Sequence, residues 1–262
     1  GPTLVKIFSN IYNPTPFLYS YLAIVIINCL GPFILINVQN SSLVTSLKSD
    51  GKIGSSFKNT EFNRPLMTIL KSPVILVSIS CSMISYGVMN LIMTSSPIAI
   101  VGCGFNTNQA ANVVSAHALA MYAPSFFTGK LIEKYGEKLM VAFGMILFLF
   151  AILIAFQDIN IWNFYFALIF IGIGWNFGFI GSTSLLTKNH FPSERGKVQG
   201  INDFLVFGFV AISSITSGWL MNCSANTSQL GWKIINLTAT PMVILALISI
   251  FCLWTLSGIK TR

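Results

Sequence analysis

MYAPSFFTGKLIEKYGEK, residues Met121 to Lys138, decides how the rest of this chain is read. An apolar helix containing Pro124 runs to Gly129 and gives way to a short charged turn, where Lys130, Glu133, Lys134, Glu137 and Lys138 crowd together. Leu139 to Phe156 then continues without a charged or amide residue. A charged hinge between two apolar stretches of membrane length marks a change of direction at a membrane surface. Gly129 and Gly136 suit it, since glycine permits close helix approach and left-handed turns.

Composition points the same way. The chain is 54% hydrophobic and only 8% charged, with a mean hydropathy of +0.75, whereas an ordinary soluble domain is about one quarter charged. Its 15 basic residues outnumber 7 acids, an excess that in a soluble protein would suggest nucleic acid. Here the basic residues sit in loops and speak for orientation in a lipid bilayer. There is no Gly-rich phosphate loop, nucleophile elbow or zinc-spaced Cys/His set, so no catalytic residues, metal or cofactor are expected. Cys29, Cys81, Cys103, Cys223 and Cys252 have neither metal nor disulfide spacing and read as small hydrophobes. The start at Gly1-Pro2, without an initiator Met or signal peptide, reads as a cut start.

A membrane helix needs about 20 predominantly apolar residues. Seven segments qualify: 16–38, 73–96, 108–128, 139–157, 162–186, 198–221 and 234–256. Helices are the choice because lipid offers no partner to an unpaired amide and nothing here alternates like a barrel strand. Between the first two spans, segment 39–72 is rich in Ser, Lys, Asn and Gly and reads as a flexible linker with one amphipathic turn before Pro73. All basic residues except Lys6 and Lys233 fall on one side, which the positive-inside rule makes cytoplasmic. The C-terminus is therefore expected inside.

The spacing Gly129-x-Leu131-x-Glu133-Lys134-x-Gly136-x-Lys138 resembles the G-x-L-x-D-R-x-G-R-K loop of the major facilitator superfamily of transporters. Glu133 stands where that family usually has Asp, and Lys134 where it has Arg. The loop Phe191-Pro192-Ser193-Glu194-Arg195-Gly196-Lys197 resembles the family's loop before its eleventh helix. The resemblance implies an all-α, polytopic membrane protein of the permease kind, built from two six-helix halves, each a pair of inverted three-helix repeats. It assigns 1–38 to the last span of an N-terminal half, 39–72 to the cytoplasmic linker, and 73–262 to a six-helix C-terminal half. The partners it implies are the bilayer, a small solute, and a missing N-terminal half of the same chain; a bacterial inner membrane is the expected location.

Several side chains stand out within the spans. The third carries Asn108, Gln109, Asn112, Ser115 and His117, and a helix that polar must face protein or water. An ionisable His117 at mid-depth marks a site by default, with a neutral imidazole bonded to the next helix as the alternative. At 100° per residue Asn112 and His117 lie about 140° apart, so only one of them points straight into a cavity. Tyr86, Asn90, Trp175 and Asn176 are further solute contacts, being amides and amphipathic rings near mid-membrane. Gly172-x-Gly174-Trp175-Asn176-x-Gly178 also reads as a close-packing surface. Asp203, the one acid inside an apolar run, either pairs with Arg195 or Lys197 or carries a coupling proton. Gly129, Glu133, Lys134, Gly136 and Arg195 are candidate gating residues, with Glu133 latching to Arg195 or to the sixth span's start when the cytoplasmic side closes.

Two other readings compete with secondary transport. Seven spans also fit a receptor or light-driven pump, yet the first cytoplasmic loop is long and the seventh span offers no lysine for a retinal Schiff base. An intramembrane enzyme would need paired acids, a Ser/His pair or metal ligands, and only His117 and Asp203 are present, on different helices.

Overall fold

The computed structural model of the protein describes residues 18–39, 64–223 and 228–259. Most of the expected linker, the first residues, and Lys260 and Arg262 lie outside them. Contacts divide the chain into two units, 1–62 and 63–262. In the first, α1 spans Leu18–Gln39 with Pro32 inside it.

The second unit holds α2 (Leu66–Leu70), α3 (Pro73–Gly102), α4 (Thr107–Tyr122), α5 (Ser125–Tyr135), α6 (Glu137–Ala155), α7 (Ile161–Lys188), α8 (Arg195–Cys223) and α9 (Ser228–Ile259). Among the described residues there is no strand. Local chemistry sets the starts. Pro73 occupies the first turn of α3, where a missing N–H is harmless. Asn106 and Gln109 form a reciprocal cap on α4, each side-chain oxygen accepting the other's backbone N–H at 2.8 and 2.9 Å. Part of the polarity that singled out the third span is thus a helix start.

Helices α3, α6, α7, α8 and α9 are long and apolar enough to cross a membrane. Of the seven expected spans, the first is present as the 22-residue α1, and the segment predicted at 108–128 is corrected to two helices. The break falls at Ala123-Pro124, yet both residues keep right-handed helical dihedrals (φ −58°, ψ −41° and φ −64°, ψ −22°), so it is a kink and not a turn. Proline has no N–H to give the carbonyl four residues back, and its ring crowds that carbonyl. Nor does the helix end at Gly129. It runs on to Tyr135 and stops at Gly136, whose φ of +84° only glycine adopts easily.

Lipid has no water to repair a broken helix ladder, so a neighbour must do it. Asn176 of α7, fully buried, donates to the carbonyl of Met121 and to Ser125 Oγ, both at 2.7 Å. Its Oδ1 accepts from Thr128 Oγ1 at 2.6 Å. One amide thereby ties both arms of the kink to α7.

Helix α7 packs on α3, α4 and α6, while α3 also carries α8 and α9. Small residues allow the closest approaches. A Cβ on Gly144 would stand 2.5 Å from the backbone nitrogen of Gly178, and one on Gly172 would stand 2.8 Å from the His117 carbonyl. Gly129 differs: a Cβ there meets nothing within 4 Å, so close approach does not explain it. Met145, Phe148, Leu168, Ile171 and Trp232 fill the interior. Ile69 of α2 packs with Ile75, Ile79, Leu186 and Val198, binding the end of the segment before α3 to one end of α3, α7 and α8.

Two measurements of thermal unfolding on the purified chain in detergent follow. Gly144→Ala forces α6 off α7 and is expected to lower stability by about 1–3 kcal/mol, whereas Gly129→Ala in open space leaves it unchanged or slightly raised. Asn176→Ala strands the Met121 carbonyl and is expected to cost on the order of 2 kcal/mol. Thr187→Ala, exposed and bonded only to its own helix, is the control and stays within about 0.5 kcal/mol.

Candidate functional site

Near the middle of three of the second unit's long helices, and at the end of α4, aromatic side chains converge. Tyr86 of α3 lies at their centre, edge-on to Trp175 (5.5 Å between ring centroids) and Phe179 (5.2 Å) of α7 and to Phe207 (5.9 Å) of α8. Trp175 and Phe179, one turn apart, stack with an interplanar angle of 11° at 5.3 Å. Tyr122, at the kink, meets Trp175 edge-on at 6.2 Å. Burial grades across the cluster: Trp175 is 7% exposed, while Tyr122 and Phe207 are 64% and 57% exposed. The cluster is therefore a wall with an open face. The indole N–H of Trp175 has no partner among the described residues.

One turn beyond Tyr86, Asn90 donates to Ser214 Oγ at 2.7 Å and to the Val210 carbonyl at 3.2 Å, joining α3 to α8 beside the wall. Tyr86, Asn90 and Trp175 are thus brought together. Phe179, Phe207, Tyr122 and Ser214 complete the group without having been singled out from sequence. Phe179 was the most accessible of these, being four residues from Trp175 and hence on its face of the helix.

The remaining candidates lie elsewhere. His117 is fully buried between α4 and α7, with Nδ1 2.7 Å from the Leu168 carbonyl. Because a carbonyl only accepts, Nδ1 carries the hydrogen. Asn112 is exposed on α4. Asn176 is consumed by the kink. The serines of α3 bond largely to their own helix, with Ser78, Ser82 and Ser85 each donating to the carbonyl four residues back. Ser82 and Ser182 also bond across α3 and α7 at 2.8 Å.

At the charged end two acids are paired among the described residues, and Glu194 engages the more distant partner. Its two oxygens take a bidentate contact from Arg64, at 2.6 and 2.7 Å, and one of them also accepts the Phe191 N–H at 3.1 Å. The guanidinium lies 4.8 Å above the Phe191 ring. Glu194 is fully covered, while about a third of the Arg64 side chain stays open. Hydrogen bonds to Glu194 raise the pKa of Arg64 above its already high usual value. Lys188 pairs with Glu137 across α7 and α6. Glu133 and Lys134 are exposed on α5, and Arg195 begins α8; no Glu133–Arg195 ion pair is present among the described residues. Asp203 accepts from Gln199 (2.9 Å) and Asn202 (3.1 Å) of its own helix. Among the described residues no group of three or more His, Cys, Asp or Glu side chains could hold a metal ion.

Comparison with known proteins adds to this geometry. The sequence profile of the Major Facilitator Superfamily matches residues 75–260. The riboflavin transporter RfnT of Brucella anthropi is 46% identical over 185 residues, 71% of this chain and 45% of that protein. Two uncharacterized MFS-type transporters of Bacillus subtilis, YddS and YdeG, are each 30% identical, over 78% and 65% of this chain and 46% and 40% of their own lengths. The chain thus spans less than half the length of these relatives. No solved structure matches. An all-α bundle of membrane-length helices, matched over most of its length by this profile and by transporters, makes the chain a multi-pass membrane protein belonging to the major facilitator superfamily.

Proposed function

We propose that this chain is the C-terminal half of a secondary transporter working by alternating access, and that its solute is a flat aromatic heterocycle of the flavin kind. The N-terminal half, ending in α1, would precede it and supply the facing wall. The observation that carries the reading is the half-open aromatic wall at mid-helix, where solute binds in transporters of this architecture. Tyr86, Tyr122 and Phe207 offer ring faces and edges to a planar solute, Asn90 and Ser214 offer polar contacts at the rim, and the stacked Trp175–Phe179 pair backs them. The name of the Brucella anthropi relative supplies the flavin.

In this reading the side rich in lysine and arginine is cytoplasmic, the membrane is a bacterial inner membrane, and Glu133, Lys134, Arg195 and Asp203 belong to the cytoplasmic mouth as gating or coupling groups. Asn112, exposed on α4, is kept as a further solute contact, while His117 joins α4 to α7. The chemistry asked of the protein is binding and conformational exchange, with no bond made or broken.

The test is uptake of radiolabelled riboflavin by a riboflavin-auxotrophic bacterium expressing the complete reading frame. Uptake above the empty vector is expected. Stacking of a heterocycle on an aromatic side chain is worth about 1–3 kcal/mol, so Phe207→Ala should raise KM roughly five- to hundredfold with the protein still present in the membrane. No uptake above vector, at normal membrane abundance, would refute the flavin assignment.

A further inference from the structure

Where α5 and α6 meet at the Gly136 turn, an apolar cleft opens against both helices. Its cavity volume is about 310 Å³, and Leu131, Tyr135, Leu139, Phe143, Ile146 and the α7 residue Phe177 line it. None of the aromatic wall around Tyr86 takes part. Leu139, Phe143 and Ile146 recur at helical spacing along the open face of α6, and each is more than a third exposed. From Leu139 to Ile146 the cleft runs about 10 Å along the helix at 1.5 Å per residue.

Its mouth is cationic. Lys134 sits 5.0 Å above the ring of Tyr135, which itself lines the cleft. Lys130, one turn earlier on α5, is also exposed. Of the two acids nearby, Glu137 is taken by Lys188, leaving the exposed Glu133 against these lysines. A tyrosine at the border of an apolar slot, with ammonium groups beyond it, has the layout of a membrane interface.

We propose that this corner is a binding site for one anionic phospholipid, with an acyl chain in the cleft and the phosphate over Lys130 and Lys134. A cleft of this volume is too narrow for a partner helix, whose diameter with side chains is about 10–12 Å, whereas a single hydrocarbon chain fits. The basic side of the protein faces the leaflet that carries anionic lipid under the positive-inside rule, so charge and location agree. The site is independent of the solute and of the aromatic wall.

The experiment is native mass spectrometry of the purified, delipidated chain given equimolar phosphatidylglycerol and phosphatidylcholine with identical acyl chains. Retention of phosphatidylglycerol is expected to exceed that of phosphatidylcholine by about fivefold or more, and the Lys130→Gln/Lys134→Gln variant should remove the preference. Lys233→Gln, at the other end of the bundle, should keep it. A phosphatidylglycerol with a photoactivatable acyl chain should label peptides within 131–146. Equal retention of the two lipids, a preference indifferent to Lys130 and Lys134, displacement by soluble glycerol phosphate, labelling elsewhere, or a chain dimer in place of the lipid adduct would each overturn the proposal.

Discussion

Inside a bilayer a polar group that finds no partner in the protein finds none at all, and this fold is arranged around that constraint. Pro124 breaks the helix ladder between α4 and α5, and Asn176 closes the gap with three short hydrogen bonds. The same rule explains why the serines of α3 turn back on their own carbonyls and why His117 gives its Nδ1 hydrogen to Leu168. Groups that look like site chemistry in the sequence are largely occupied in holding helices together.

What stays unoccupied then gains meaning. The rings around Tyr86 have an open face, and the lysines of α5 reach past an apolar cleft. Between the two regions runs α7, whose glycines bring α4 and α6 within backbone contact. At one end of the bundle the Arg64–Glu194 pair ties the start of the second unit to the turn before α8. A segment that reads in sequence as loose linker ends in a bidentate ion pair and a buried Ile69.

Helix identity was legible because apolar stretches of membrane length leave few alternatives, and a turn between Gly129 and Lys138 because charges and glycine coincide there, but its place at Gly136 was not, since Gly129 looked equally fit to end the helix. The kink was not, since Pro124 in an apolar run looks the same whether a helix bends or continues. Tyr86, Asn90 and Trp175 could be picked as amphipathic groups at mid-depth, but Asn176 could not be told from them. Whether an amide faces a cavity or a neighbouring helix depends on rotation about an axis that neighbours set. Phe179 and Phe207 escaped notice because a phenylalanine in a membrane helix carries no signal of its own. The partner of Glu194 lies 130 residues away, beyond any local pattern.

In the proposed function, the face of Tyr86, Tyr122 and Phe207 borders a solute pathway and not lipid. In the intact transporter, with native cysteines replaced by serine, single cysteines at Tyr86 and Phe207 report this directly through their labelling by a membrane-impermeant thiol reagent. The account predicts labelling at both positions, slowed by riboflavin. Labelling only by a lipid-soluble reagent, with riboflavin without effect, would contradict it.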